Sequence, residues 1–154
     1  MEILSSKTTG MDTFLNDKKV LEGNEIFKIH GDLIDDKTLA EIIDRCAGLK
    51  YYWDCIEKAK IARKVLGEGI VVVGKLMVFS EDWSSSYGYY FNPPFELHSW
   101  LLTEKGVIDI ALPGVIEMGL NFSDENGPFL TNREPIVLAG IPANWMQYNL
   151  CEIL

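Results

Sequence analysis

The pattern of apolar and polar residues predicts two helices, the first of them between positions 36 and 46. Its apolar residues recur at the i, i+3, i+4, i+7 spacing of an amphipathic helix: Leu39, Ile42, Ile43 and Cys46. Thr38 and Glu41 have the spacing of a capping box, and Gly48 is placed to end the helix. We therefore expect one face of this segment to be buried.

The second predicted helix covers residues 55–66. Asp54 and Glu57 repeat the acid-x-x-Glu pattern of a helix start, and Gly67 is placed to end the helix. Its basic residues lie towards the C-terminal end, where the helix dipole favours positive charge: Lys58, Lys60, Arg63 and Lys64. If Asp54 is the N-cap, Cys55 is the first residue of this helix.

Strand patterns rich in β-branched and apolar residues occupy most of the remaining chain. They cover residues 25–30, 70–79, 96–102, 107–112, 115–122 and 135–141. A turn from Thr103 to Gly106 joins two of these segments into a hairpin. Two helices followed by four or five antiparallel strands predict an α+β domain with its helices packed on one face of the sheet.

The length and composition predict one globular domain. The chain has 154 residues, of which 47% are hydrophobic and 24% charged. These values are typical of a single folded domain, and they exclude a disordered chain, a collagen-like fibre and a disulfide scaffold. Residues 1–24 are polar and contain glycine, so we expect them to form a loosely ordered arm. Residues 25–154 are predicted to form the α+β domain.

The net charge and the cysteine count limit the partners and the compartment. A net charge of −9 without a local Lys/Arg stripe repels phosphate, so we expect neither nucleic acid nor a membrane surface as a partner. The longest apolar stretch, residues 70–79, is shorter than the roughly 18 residues of a membrane span. An odd number of cysteines and the lack of a secretory-signal pattern favour the cytoplasm. The sequence contains no cofactor motif, so no cofactor is expected.

Cys55 is a candidate nucleophile because of its place at a helix start. Unpaired backbone N–H groups and the positive end of the helix dipole stabilise a thiolate at this position. The alternative is a packing role, since Cys55 shares an apolar stripe of the helix with Ala59 and Ala62, and free cysteines are often buried in cores. The helix pattern alone leaves both interpretations open.

His98 and Asp109 favour the catalytic interpretation. Strand alternation places His98 and Trp100 on one face. A turn at residues 104–105 makes Asp109 the diagonal neighbour of His98 on that face, at roughly 7–8 Å between Cα atoms. A carboxylate at this distance reaches the imidazole, fixes its tautomer and stabilises its protonated form. The strand around Asp109 is apolar on both faces, so its carboxylate also needs a partner.

The order of these residues resembles the papain-like superfamily in its transglutaminase-like branch. The similar segments are Trp53-Asp-Cys55, His98-Ser-Trp100 and Gly106-Val-Ile-Asp109, and the resemblance covers roughly residues 50–112. It implies a helix-borne thiol packed against an antiparallel sheet that carries the histidine and the aspartate. It further implies that Cys55 is the nucleophile, His98 the general base and acid, and Asp109 the residue that orients the imidazole.

The sequence departs from papain-type enzymes at the oxyanion site. Such enzymes place a Gln a few residues before the cysteine, whereas residues 49–53 contain none. The backbone N–H of Cys55 is one candidate donor to the oxyanion. A second would have to come from Tyr51, Tyr52 or Trp53, and without it the protein would be an inactive relative.

A loop rich in Ser, Tyr, Gly and Pro at residues 83–95 leads into the histidine strand. Its aromatic residues suit either the wall of a cleft that grips an extended peptide or a cover over one sheet edge. The residues predicted to bind substrate are Trp53, Trp83, Tyr89, Tyr90 and Trp100.

The catalytic interpretation predicts a thiol-dependent hydrolase or acyltransferase that acts on an amide or peptide bond through a thioester at Cys55. The alternative is a noncatalytic module of the same fold that uses residues 83–95 to bind or assemble with a partner. A zinc site would use the same Cys55, His98 and Asp109, but no Cys-x-x-Cys or His-x-x-x-His pair supports it, so no metal is expected.

Overall fold

The computed structural model of the protein describes residues 20–22, 25–46, 48–49, 54–88, 97–121 and 131–154. These ranges contain helices α1 (Asp36–Arg45), α2 (Cys55–Leu66) and α3 (Leu112–Asn121). Their strands are β1 (Val20–Glu22), β2 (Glu25–His30), β3 (Ile70–Phe79), β4 (Ser86–Gly88), β5 (His98–Thr103), β6 (Gly106–Asp109), β7 (Ile136–Gly140) and β8 (Met146–Ile153). The mixture of helices and strands confirms the α+β class.

The strands form one sheet in the order β1-β2-β7-β6-β5-β3-β4, with β8 also paired to β3. Val72 of β3 pairs with Trp100 of β5 and with Ile153 of β8, so these two strands flank β3 on opposite edges. Strand β1 pairs with β2, which extends the sheet into the predicted arm; residues 1–19 and 23–24 of that arm lie outside the described residues.

The sheet is mixed, which corrects the prediction of a purely antiparallel one. Strands β2 and β7 run parallel, with Ile29 opposite Val137, while the other pairings are antiparallel. Parallel neighbours need a long connection rather than a hairpin. Most of the chain separates β2 from β7, so a local pattern of hydrophobic residues carries no signal of this pairing.

Helices cover both faces of the sheet, so the prediction of one covered face is wrong. Helices α1 and α2 pack on the face formed by one set of alternating strand residues, which includes Ile29, Val71, Leu101, Ile108 and Val137. Helix α3 packs on the opposite face, which includes Val72, Leu76, Trp100, Val107 and Leu138. Because both faces are covered, the central strands are buried on both sides, as their nearly continuous apolar sequences require.

Residues 115–122 are predicted to form a strand, but helix α3 occupies most of this segment. The strand predicted for residues 107–112 ends earlier, at Asp109, and α3 begins at Leu112. Leu112, Val115 and Ile116 are buried at the i, i+3, i+4 spacing of a helix. Pro113 lies in the first helical turn, where its missing N–H costs no hydrogen bond. The β-branched content of this segment therefore misled the prediction, while its spacing was helical.

The helix starts differ in detail from the predicted caps. Asp35, rather than Thr38, is the N-cap of α1, and its Oδ1 accepts a hydrogen bond from the backbone N–H of Thr38 at 2.7 Å. Helix α2 begins at Cys55 as predicted, but the Asp54 side chain makes no capping hydrogen bond. Gly67 ends α2 with a left-handed φ of 80°, a conformation that glycine adopts without steric cost.

The predicted register of the β5–β6 hairpin is confirmed. Thr103 pairs with Gly106, and Leu102 pairs with Val107. The Thr103 hydroxyl accepts hydrogen bonds from the backbone N–H groups of Lys105 and Gly106, at 3.1 Å each, and this closes the turn. The hairpin therefore places the start of β5 beside the end of β6, and these two positions are occupied by His98 and Asp109.

Candidate active site

Three element ends meet at the candidate site. Cys55 is the first residue of α2, His98 is the first residue of β5, and Asp109 is the last residue of β6. Helix α2 packs against β5, which brings the start of the helix to the start of the strand. All three residues are buried, and only 7% of the surface of Cys55 is exposed to solvent.

His98 and Asp109 form a buried hydrogen-bonded pair. The Nε2 atom of His98 lies 2.7 Å from Oδ2 of Asp109, which confirms the contact predicted from the hairpin register. An ionised carboxylate can only accept, so Nε2–H of His98 is the donor. The imidazole is thereby held in one orientation, with Nδ1 as the ring nitrogen left to serve another group.

Asp109 also accepts hydrogen bonds from two further groups. The Tyr148 hydroxyl donates to Oδ2 at 2.7 Å, and the backbone N–H of Ala111 donates to Oδ1 at 3.0 Å. The second bond also turns the chain from β6 towards α3. Burial, followed by the charge of Asp109, raises the pKa of Tyr148 well above its usual value, so the hydroxyl remains a donor. Three donors thus fix the carboxylate from different elements.

The surroundings of His98 favour its protonated form. Burial by itself would lower the pKa of His98, but the charge and hydrogen bond of Asp109 outweigh this effect. The adjacent Cys55 side chain adds to the increase, and together these groups raise the pKa of His98 to about 10. The imidazole therefore carries a proton at neutral pH.

Trp100 and Tyr148 form an aromatic wall beside the imidazole. The His98 and Trp100 rings stack with centroids 6.1 Å apart, and the Tyr148 ring meets Trp100 edge-on at 4.8 Å. Gly74, which pairs with His98, makes room for this arrangement. A Cβ atom at Gly74 would lie 2.8 Å from Cη2 of Trp100 and would also collide with the carbonyl oxygen of Asn149. The wall therefore depends on a close approach that only glycine permits.

A groove of about 580 Å³ opens on the far side of this wall. Strand β8 and the chain segment before it line one side, and Trp100, Leu102 and Val107 of the hairpin line the other. Of the two predicted substrate-binding residues within the described ranges, Trp83 and Trp100, it is Trp100 that lies both beside His98 and in this groove.

The remaining predicted substrate-binding residues do not meet the site within the described part of the chain. Trp83 is half exposed and stacks on Phe79 with centroids 5.2 Å apart. Phe79 lies five residues along β3 from Gly74, which pairs with His98, and this separation corresponds to about 17 Å. Trp53, Tyr89 and Tyr90 lie outside the described residues, as do the predicted oxyanion donors Tyr51 and Tyr52.

Tyr148 is a site residue outside the predicted set, because the predicted strands end at residue 141. A signal was present, since Met146, Tyr148 and Leu150 alternate with polar residues as in a strand with one packed face. That pattern predicts the strand and places Tyr148 on its inward face. It does not predict Asp109 as a partner, because β8 reaches this region only by pairing with β3.

Among the described residues, no group of three His, Cys, Asp or Glu side chains is arranged to hold a metal ion. No helix in the described ranges is long and apolar enough to cross a membrane. The three cysteines, Cys46, Cys55 and Cys151, are free thiols. No protein-family model, curated protein or solved structure matches this chain.

Proposed function

We propose that the protein is a thiol-dependent hydrolase or acyltransferase that acts on an amide or peptide bond, with Cys55 as nucleophile. One observation carries the proposal: the buried imidazole of His98 is hydrogen-bonded to the carboxylate of Asp109 and lies next to the side chain of Cys55. A nucleophile, a base and a group that orients the base are the components of covalent acyl transfer.

In the first half-reaction Cys55 reacts as a thiolate, whose proton is held on Nδ1 of the His98 imidazolium. The thiolate attacks the carbonyl carbon of the amide, and a C–S bond forms. The backbone N–H of Cys55 at the start of α2 is a candidate donor to the negative oxygen that develops. The C–N bond then breaks as the imidazolium of His98 returns its proton to the leaving amine, and a thioester remains on Cys55.

In the second half-reaction an incoming nucleophile releases the acyl group. His98 takes a proton from water or from a second amine, which attacks the thioester carbon. The C–S bond breaks, and the sulfur regains a proton through His98. Water yields a carboxylic acid and therefore hydrolysis, whereas an amine yields a new amide and therefore transamidation. Both reactions use the same three residues and need no cofactor or metal.

The placement of the three residues supports a papain-like core of the transglutaminase-like type as the architecture behind this chemistry. A thiol at a helix start packs against a sheet whose adjacent strands carry the histidine and the aspartate. Reduced thiols agree with a cytoplasmic location, which is part of the proposal.

The test is alkylation by iodoacetamide between pH 5 and 9, read separately for each cysteine by peptide mass spectrometry. We expect Cys55 to react faster than a thiol without such a neighbour, because the adjacent imidazole of His98 holds its proton. The exposed Cys151 is a reference thiol within the same chain. The His98→Ala variant should remove the difference between the two sites.

Two outcomes of this experiment would oppose the proposal. Labelling of Cys55 no faster than that of Cys151 at every pH would mean that the thiol is not activated. Fast labelling that persists in His98→Ala would mean that the imidazole plays no part. Either outcome favours a noncatalytic binding module that retains the same fold.

A further inference from the structure

The groove beside the aromatic wall has an apolar base. Trp100, Leu102 and Val107 come from the β5–β6 hairpin, and Met146 comes from the start of β8. Trp100, Val107 and Met146 are at most 4% exposed, so they are firmly held by the core beneath. The base of the groove is therefore a rigid apolar surface rather than a set of mobile side chains.

The rim of the groove is polar but uncharged. Asn144, Gln147 and Asn149 supply side-chain amides, and none of the described residues that line the groove is acidic, basic or a histidine. This is notable in a chain of which 24% is charged. Amides offer hydrogen bonds but no opposite charge to an ionised ligand, so the lining favours uncharged groups.

The groove also adjoins the His98–Asp109 pair. Its Trp100 ring lies 6.1 Å from the His98 ring, centroid to centroid, and its Tyr148 donates a hydrogen bond to Asp109. An extended chain advances about 3.3–3.6 Å per residue. A substrate held at Cys55 would need about two or three extended residues to pass the His98 ring and reach Trp100.

We infer that this groove binds an uncharged aliphatic or aromatic group of the acyl substrate, and that it thereby selects substrates which are neutral at that distance from the reacting carbonyl. The inference rests on the proposed function, because it treats Cys55 as the nucleophile. It deepens that proposal by assigning a substrate class to a surface next to the three catalytic candidates.

Three chloromethyl ketones with the same six-carbon acyl chain test the inference. They are hexanoyl-glycine chloromethyl ketone, its adipoyl analogue with a terminal carboxylate, and its 6-aminohexanoyl analogue with a terminal ammonium group. In each, the thiolate of Cys55 displaces chloride, so that a C–S bond forms and a C–Cl bond breaks. After normalisation to the iodoacetamide rate, we expect the hexanoyl probe to react at least about tenfold faster than either charged probe.

Charge substitutions at the rim supply matched variants. Asn144 is exposed in the turn before β8, so Asn144→Asp and Asn144→Lys place opposite charges beside the groove with little effect on folding. Asn144→Asp should speed the 6-aminohexanoyl probe severalfold, and Asn144→Lys should speed the adipoyl probe. Lys64→Gln makes the same change in net charge as Asn144→Asp but lies on α2 outside the groove, and it should leave the ratios unchanged.

The failure of this inference is distinguishable from the failure of the proposed function. Equal rates for the three probes, with iodoacetamide labelling still dependent on His98, would overturn the groove assignment and leave the nucleophile in place. Shifts in Lys64→Gln as large as those in Asn144→Asp would also overturn it, because the effect would then come from net charge. Iodoacetamide labelling that is indifferent to His98 would remove the proposed function and this inference together.

Discussion

At the scale of single residues, the hydroxyl of Tyr148 is the group whose removal isolates one interaction of the site. Tyr148→Phe keeps the ring against Trp100 but removes one of the three donors to the buried carboxylate of Asp109. A buried acceptor that loses a partner costs about 1–3 kcal/mol. We expect the free energy of unfolding in urea to fall by that amount.

The carboxylate itself provides the control for Tyr148→Phe. Asp109→Asn leaves a side chain that fits the same space, and in this background the Tyr148 hydroxyl no longer meets a negative charge. Tyr148→Phe should therefore lower the free energy of unfolding by less in the Asp109→Asn protein than in the native one. A double-mutant cycle with no coupling between the two substitutions would contradict a direct stabilising bond.

At the scale of secondary structure, the two helix starts that look alike in sequence are predicted to differ in energy. Asp35 caps α1 with its side chain, whereas Asp54 precedes α2 without a capping bond. Replacing a capping aspartate by alanine costs about 0.5–2 kcal/mol. Asp35→Ala should therefore destabilise the protein by about 1 kcal/mol in urea unfolding, and Asp54→Ala should change it much less. Equal effects would contradict the assignment of the caps.

The elements also indicate which parts of the fold are readable from sequence. The β5–β6 hairpin is predictable because a turn at residues 104–105 sets its register locally, and this register alone is enough to place Asp109 next to His98. Helix α3 was missed because its β-branched residues outweighed their helical spacing in the prediction. The parallel β2–β7 pair and the contact of Tyr148 with Asp109 depend on distant segments, so local patterns carry no information about them.

At the scale of the whole molecule, two buried histidines are predicted to shape the pH dependence of stability in opposite directions. The pKa of His98 is raised from its usual value of 6.5 to about 10. The contribution of this group to the free energy of unfolding is therefore complete below pH 6.5 and is lost as pH rises towards 10. Burial lowers the pKa of His30, despite a backbone hydrogen bond at Ile141. The contribution of His30 to the free energy of unfolding is therefore complete above pH 6.5 and is lost as pH falls. Together they favour a stability maximum near pH 6.5.

Urea unfolding between pH 5 and 10 separates the two histidines. His98→Gln should flatten the decline of the free energy of unfolding on the alkaline side, and His30→Gln should flatten the decline on the acid side. Each variant is the control for the other, because both remove one buried imidazole. Curves that remain parallel to that of the native protein would contradict the assigned directions.

The late position of Tyr148 in the chain links the hydrogen bonding of Asp109 to the order of synthesis. Cys55, His98 and Asp109 leave the ribosome before β8, so a nascent chain contains the three residues while the carboxylate still lacks the Tyr148 donor. Strand β8 joins the sheet only through its distant partner β3, and such non-local pairings form late in folding. The docking of β8 therefore completes the set of three donors to the Asp109 carboxylate only after the strands that carry His98 and Asp109 have been synthesised.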